Sequence, residues 1–230
     1  MVAELSDHAR GVVGAVRLWA NTSAVTQFLP RDLSAFAELH PAVAIEMREQ
    51  DSRDIVMAVL EGRADVGIFA DLTAPLGLPT RGLPAGPPGA GGPGRPCPGR
   101  REKQIRFAEA QRHHFVGLSQ GTSLAERVAL HAESEAPLRV RIQVRSFDAI
   151  CQMVSAGFGL AVLPEGAATP LARSLETATI GIREPWAQRE LLLAVQDFEA
   201  MPRVTRALVE HLLPAESEER RDAVQSEKRR

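Results

Sequence analysis

The chain has 230 residues, a formal net charge of −2 and a pI near 6.3. A domain that grips nucleic acid directly normally has a basic face and a high pI, so this composition argues against direct contact with DNA or RNA. The first ten residues lack the regions of a signal peptide, and no apolar run is long enough to cross a bilayer. We therefore expect a cytoplasmic protein without a membrane partner, in which Cys97 and Cys151 are unpaired thiols.

The first informative block, residues 14–70, alternates strand and helix patterns. Asn21-Thr22-Ser23 supplies polar side chains of the N-cap type before the first helix, and Pro30 within that helix predicts a kink or a restart near Arg31. Gly62 predicts the end of the second helix. Short connections between such elements indicate a parallel sheet with right-handed crossovers. The predicted strands are 15–20, 43–47 and 65–69, and the predicted helices are 25–39 and 53–60.

The second block, residues 107–164, repeats this order, so the fold class is α/β with two similar units. Apolar periodicity and cap residues predict further elements after it, and an almost wholly charged tail from residue 216 predicts disorder. The predicted strands are 114–118, 139–144, 160–163, 177–182 and 190–195, and the predicted helices are 123–132, 147–156 and 202–213.

Between the two blocks, residues 75–100 are mostly Pro, Gly, Arg and Ala. No residue pattern in this tract is typical of a strand or a helix, so we expect an irregular segment. A flexible interdomain linker is one interpretation of its composition.

The motifs of both blocks resemble the effector-binding domain of LysR-type transcriptional regulators. In the first block these motifs are Thr22-Ser23 at the first strand–helix turn, L-P at 29–30, Phe36 followed by Pro41, and L-E-G-R-A-D at 60–65. In the second block, V-R-S-F-D-A-I-C-Q-M-V-S-A-G-F-G-L-A-V-L-P is similar to the family's V-x-A-G-x-G-I-x-x-L-P signature. Together they span about residues 11–214, apart from the Pro/Gly tract.

The resemblance implies two Rossmann-like lobes of the periplasmic type 2 binding-protein kind, with a ligand cleft between them. Lobe I would comprise residues 12–74 and 190–214, and lobe II residues 104–180. Residues 75–103 would be the irregular segment, and residues 215–230 the disordered tail.

The resemblance also implies a sensor that binds a small-molecule effector and forms a homodimer, with a tetramer as an alternative for the full-length protein. Residues 28–39 and 55–60 would supply the dimer faces. The family contacts DNA through an N-terminal winged helix-turn-helix. That segment does not precede the domain in this sequence, and a truncation would explain why.

The Pro/Gly tract departs from the family, which has its first crossover strand at this point. Gly, Pro, Arg and Ala are encoded by codons of G and C alone, so a compensated frameshift from about Gly82 to Arg100 is a second hypothesis beside the natural linker. If the tract is genuine, the strand at 190–195 would lose its antiparallel neighbour and the hinge between the lobes should be looser.

The candidate effector-binding residues lie at strand–helix turns, where free backbone N–H groups and hydroxyl side chains favour an anionic or polar ligand such as a carboxylate. Each Ser or Thr among them could equally serve as a helix cap. The two phenylalanines could equally belong to the core. The candidates are Asn21, Thr22, Ser23, Ser119, Gln120, Gly121, Thr122, Ser146, Phe147, Phe158 and Gly159.

No metal, cofactor or catalytic residue is predicted. His113 and His114 are adjacent on a strand and point to opposite faces, and no third ligand lies at metal-binding spacing. Nucleophile elbows and phosphate-binding loops are missing from the sequence. The alternatives are a solute-binding protein of a transporter and an enzyme of the same fold, such as a relative of prephenate dehydratase or porphobilinogen deaminase.

Overall fold

The computed structural model describes residues 12–83, 90–94, 104–132 and 137–213. The first part of the chain forms one α/β unit and the following segment adds two more strands. In chain order these elements are β1 (Gly14–Ala20), α1 (Thr22–Gln27), α2 (Leu29–Leu39), β2 (Val43–Glu49), α3 (Ser52–Leu60), β3 (Val66–Ala70), β4 (Thr80–Leu83) and β5 (Ala90–Gly94).

The rest of the described chain forms a second unit and then returns to the first. Its elements are β6 (Gln104–Ile105), α4 (Phe107–Ala110), β7 (His114–Leu118), α5 (Ser123–Leu130), β8 (Arg139–Val144), α6 (Phe147–Ser155), β9 (Leu163–Pro164), α7 (Glu165–Ser174), β10 (Ala178–Ile182), the 3-10 helix Pro185–Ala187, β11 (Leu191–Ala194) and α8 (Arg203–Leu212). Lobe I here means β1–β4, α1–α3, β11 and α8, and lobe II means β5–β10 and α4–α7.

The sheet of lobe I has the strand order β2-β1-β3-β11-β4. β1 pairs in parallel with both β2 and β3, as the strand–helix alternation predicted, and β11 runs antiparallel to β3 and β4. Side chains on β1 and β3 are buried on both faces of the sheet: Leu18 and Ile68 pack on the side of α2 and α8, whereas Trp19 and Phe69 pack on the side of α3. Such double coverage explains the nearly continuous apolar sequence of these strands.

The first predicted helix is two helices. Asn21 caps α1, and α2 begins at Leu29 with Pro30 in its first turn, where the missing N–H of proline leaves no hydrogen bond unmade. The predicted restart is therefore confirmed, two residues earlier than expected. Gly62 has a φ of +69° just after α3, as its predicted role at a helix end requires.

Lobe II contains a parallel β7–β8 pair and a second sheet with the order β6-β10-β5-β9. Two of its helices, α4 and α7, were not predicted, and α7 has Pro170 in its interior. The predicted strand at 160–163 is wrong in extent, because Leu160 makes only a single bridge to Phe115 and the strand proper is Leu163–Pro164.

The prediction that residues 75–100 form neither strand nor helix is wrong for two segments. β4 pairs with β11, and the backbone of β5 pairs with β10 and β9. Backbone hydrogen bonds form these ladders, so no alternation of side chains is needed. The strand at 190–195 therefore has antiparallel neighbours on both sides, contrary to expectation. Residues 84–89 and 95–103 lie outside the described residues, as does the predicted tail, and the frameshift hypothesis stays untested.

Candidate functional site

A cleft of about 30 Å³ lies where the two lobes meet. Lobe I contributes the first strand–helix turn and the start of α3, and lobe II contributes the start of α5 and one aromatic ring. This volume holds about two water molecules, so the lobes stand close together. The lining residues are Asn21, Thr22, Ser23, Gln50, Asp51, Ser52, Ala70, Leu118, Thr122, Ser123, Leu124, Phe147 and Arg189.

Asn21 fixes the turn on the lobe I side. Its Oδ1 accepts a hydrogen bond from the backbone N–H of Ala24 at 3.0 Å, and its Nδ2 donates to Oγ of Ser52 at 3.4 Å. The same Ser52 oxygen accepts the backbone N–H of Ala70 at 3.3 Å. Since both polar atoms of Asn21 are engaged in joining β1, α3 and β3, this side chain holds the shape of the cleft.

Thr22 and Ser23 present the hydroxyl groups of the same turn. Oγ1 of Thr22 donates to Oε1 of Glu49 at 2.5 Å on an exposed surface. Oγ of Ser23 accepts a hydrogen bond from Nη2 of Arg189 at 3.3 Å, which leaves its own proton without an acceptor among the described residues. The Ser23 hydroxyl can therefore donate to a ligand in the cleft.

Arg189 is one of the cleft residues that the sequence did not predict, and the only cation among them. It lies between the 3-10 helix and β11, where no motif marks it. Burial is the main cause that lowers the pKa of its guanidinium to about 10; the nearby positive charge of Arg127 acts in the same direction, and Asp71 opposes the shift. Arg189 is still protonated at neutral pH, and within the described part of the chain it has no carboxylate partner.

The lobe II side of the cleft begins at the N-terminus of α5. Oγ1 of Thr122 accepts the backbone N–H of Ala125 at 3.3 Å and donates to the carbonyl of Ser119 at 3.2 Å, so this hydroxyl caps the helix. Phe147 is buried in the lobe II core and also lines the cleft.

Contacts from α5 hold the lobes together. Arg127 forms an ion pair with Asp71 and donates to the carbonyl of Trp186 at 3.3 Å. Its neighbour Glu126 pairs with Arg53 of α3 at 2.9 Å. The hydroxyls of Ser123 and Thr73 are 3.3 Å apart. A single helix therefore carries polar contacts that span the cleft.

The cleft brings together five predicted residues, which are Asn21, Thr22, Ser23, Thr122 and Phe147. Gln120 and Gly121 instead line a cavity of about 270 Å³ between α5 and the β7–β8 pair.

The remaining four predicted residues lie outside both cavities. The backbone N–H of Ser119 donates to the carbonyl of Val144, and the hydroxyl of Ser146 caps α6. Phe158 is 39% exposed. Gly159 packs so closely on β7 that an added Cβ would lie 2.2 Å from the carbonyl oxygen of His114.

Among the described residues, no group of three His, Cys, Asp or Glu side chains could hold a metal ion. In the same residues, no helix has both the length and the apolar character needed to span a bilayer.

Two α/β lobes around a polar cleft define a small-molecule-binding domain. The sequence matches the LysR substrate binding domain over residues 9–216, so the chain belongs to this family. The family's members are transcriptional regulators, and the fold is that of the type 2 periplasmic binding proteins, as predicted. The alternative of a transporter's solute-binding protein is not favoured by these matches.

Curated relatives are longer than this chain. It is 26% identical over 172 residues to the probable HTH-type transcriptional regulator LrrA of Synechococcus elongatus, covering 69% of this chain and 53% of LrrA. It is 28% identical over 204 residues to the transcriptional dual regulator GltC of Bacillus subtilis, covering 80% of this chain and 65% of GltC. The chain thus spans between half and two thirds of each relative.

Solved structures share the fold at low sequence identity. The reduced form of the regulatory domain of OxyR2 from Vibrio vulnificus has a TM-score of 0.73 and 18% identity, with coverage of 88% of this chain and 95% of that one. The effector binding domain of QuiR in complex with shikimate has a TM-score of 0.71 and 16% identity, with coverage of 88% and 96%.

Proposed function

We propose that the cleft between the lobes binds a small-molecule effector through Thr22 and Ser23 of lobe I together with Thr122 and Phe147 of lobe II. Asn21 shapes the turn that presents the two lobe I hydroxyls. The other predicted residues, Ser119, Gln120, Gly121, Ser146, Phe158 and Gly159, stay predictions. Effector binding at this position would change how the lobes close.

One observation carries the proposal: hydroxyl groups and a guanidinium from separate elements converge on one cleft, and α5 bridges that cleft with side-chain contacts. A cleft with a few convergent polar groups is the usual form of a small-molecule site. The complex of the QuiR effector binding domain with shikimate supports a metabolite-sized ligand for a domain of this fold.

In the full-length protein, by this proposal, effector binding controls transcription through an N-terminal winged helix-turn-helix that contacts DNA. The domain contributes to a homodimer, with a tetramer as the alternative assembly, and the protein acts in the cytoplasm without catalysing a reaction. This part of the proposal is supported by the family membership of the chain and by its similarity to two transcriptional regulators. Residues 28–39 and 55–60 stay the predicted dimer faces.

A thermal-shift screen of metabolites tests the effector site. A ligand at 100 times its Kd stabilises the folded protein by about 2.7 kcal/mol, which raises the Tm of a domain this size by several degrees. We expect at least one compound to raise the Tm of the wild type, and the shift to be lost in Ser23→Ala and reduced in Thr22→Ala.

Thr26→Ala is the matched control. Thr26 lies on the same helix, and its hydroxyl donates to the carbonyl of Thr22 at 2.8 Å, but it does not line the cleft. This variant should keep the full shift. If a compound stabilises Ser23→Ala and Thr22→Ala as much as it does the wild type, the effector site lies elsewhere.

A further inference from the structure

Arg189 brings a positive charge into the cleft, and no described carboxylate of either lobe forms an ion pair with it. Its guanidinium donates to the neutral hydroxyl of Ser23, while Asp71, the carboxylate whose charge acts on Arg189, is already paired with Arg127. Two positive charges therefore face one negative charge. A charge withdrawn from water is unfavourable unless an opposite charge accompanies it.

We propose that the effector carries a small anionic group, such as a carboxylate or another oxyanion, that pairs with Arg189 and accepts a hydrogen bond from Ser23. This inference rests on the proposed effector site and names the chemical class of its ligand. The planar guanidinium can make two parallel hydrogen bonds to such a group. Because Ser23 lies within hydrogen-bond distance of Arg189 and has its own proton to donate, the two side chains together match an oxyanion.

Asp51 also lines the cleft. Burial together with the negative charges of Asp54, Glu126 and Glu49 raises the pKa of Asp51, against the opposing effect of Arg145. A second negative charge on the ligand would be repelled by this carboxyl group when it is ionised. The effector accordingly has its anionic group at Arg189, and the part that reaches Asp51 is neutral or positively charged.

Anion binding at Arg189 also acts on lobe closure. Arg189 and Arg127 repel each other, and Arg127 is the residue of α5 that pairs with Asp71 of lobe I. An anion beside Arg189 offsets this repulsion and so favours the closed arrangement. The bound group and the ion pair across the cleft therefore stabilise each other.

The test uses matched pairs of probes that differ in charge. Acetate, benzoate and malonate are each compared with their amides, and sodium sulfate is added as a further anion. Binding is measured by thermal shift and isothermal titration calorimetry on the wild type, Arg189→Gln, Arg189→Lys and the surface control Arg173→Gln. We expect at least one monoanion to bind saturably, its amide to bind at least about tenfold more weakly, and malonate to bind more weakly than acetate.

The variants separate recognition from folding. Arg189→Gln should weaken anion binding at least about tenfold, Arg189→Lys should retain part of it, and Arg173→Gln should leave it unchanged. Without ligand, Arg189→Gln should be at least as stable as the wild type, because a half-buried charge without a carboxylate partner has been removed. A purely structural role for Arg189 would instead lower the stability of Arg189→Gln.

Two results would overturn the inference, and they have different consequences for the proposed effector site. A neutral probe that loses binding in Ser23→Ala but binds equally to Arg189→Gln would leave the effector site intact and remove its anion preference. If no anion stabilises the wild type in an Arg189-dependent way, the anion preference fails. The effector site fails with it only if a wide metabolite screen finds no ligand that depends on Ser23 or Thr22. Sulfate can also stabilise a protein without binding, because it is excluded from the protein surface. An equal rise in Tm with sulfate in the wild type and in Arg189→Gln would have this cause and would count against the inference.

Discussion

The two lobes differ in how closely a helix packs against its strands. In lobe I, β1 and β3 are covered on both faces, and Leu18, Ile68 and Phe69 have no exposed surface. In lobe II, the β7–β8 pair and α5 leave a cavity of about 270 Å³ between them. Dense packing resists deformation, whereas a cavity lets neighbouring elements move at lower cost. Lobe I is therefore the rigid platform, and the helix that bridges the cleft belongs to the more deformable lobe.

Replacing one buried leucine in each lobe by alanine tests this difference in packing and should have the largest effect on stability. Leu208 of α8 is completely buried in lobe I, whereas Leu124 of α5 is buried beside the lobe II cavity. We expect Leu208→Ala to lower the free energy of unfolding by about 3–5 kcal/mol and Leu124→Ala by about 2 kcal/mol, because Leu124 borders open space in the cavity and in the cleft. Urea unfolding measures both. Equal losses would show that lobe II is packed as densely as lobe I.

Glycine substitution tests a tightly packed point of lobe II. The carbonyl of His114 accepts the backbone N–H of Leu160 at 2.8 Å, and a Cβ on Gly159 would lie 2.2 Å from that oxygen. Gly159→Ala should therefore lower the free energy of unfolding by about 3 kcal/mol. Gly157→Ala is the control: its φ of +85° disfavours a side chain, but no atom lies within 4 Å, so a loss of about 1 kcal/mol is expected. Similar losses in both variants would contradict a steric effect at Gly159.

The two lobes also differ in how far the sequence predicted them. Lobe I followed its pattern closely, because a strand buried on both faces and an amphipathic helix leave clear periodic signals, as at β3 and α3. In lobe II the signal failed for α7, whose interior Pro170 is unfavourable in a helix. β4 and β5 were missed because the sequences TRGL and AGGPG lack the apolar alternation of a strand, although their backbones pair with β11 and β10.

The sequence predicted the cleft residues only in part. Thr22, Ser23 and Thr122 follow recognisable strand–helix turns, so the sequence could identify them as candidates. Arg189 could not be identified in this way, since its position in the cleft depends on the return of the chain from lobe II to lobe I. One available clue was that it is a cation next to an otherwise apolar strand, β11.

The ion pairs across the cleft give a third test of the comparison. Arg127 and Asp71 are 10% and 29% exposed, whereas Arg53 and Glu126 are 75% and 35% exposed. Arg127→Gln should lower the free energy of unfolding by about 2 kcal/mol, since it leaves Asp71 without its partner. Glu126→Gln should change it by less than about 0.5 kcal/mol. Small-angle X-ray scattering should detect lobe opening in Arg127→Gln only. Equal opening in both variants would mean that the exposed pair holds the lobes equally.

The pH dependence of stability tests a single ion pair of lobe I, Arg17–Asp65, and has the smallest expected effect. Burial raises the pKa of Asp65, but hydrogen bonds from the side chain and backbone N–H of Arg17 outweigh it and hold this pKa below its usual range. A carboxyl whose pKa is lower in the folded state stabilises the protein above its unfolded pKa, near 4, and loses this contribution as the pH falls through the folded value. Asp65→Asn should therefore lower the free energy of unfolding by about 1 kcal/mol at pH 7 and by progressively less below pH 4. Urea unfolding of both proteins from pH 7 to pH 3 measures this difference. A difference that stays constant over this range would assign the role of Asp65 to shape rather than to charge.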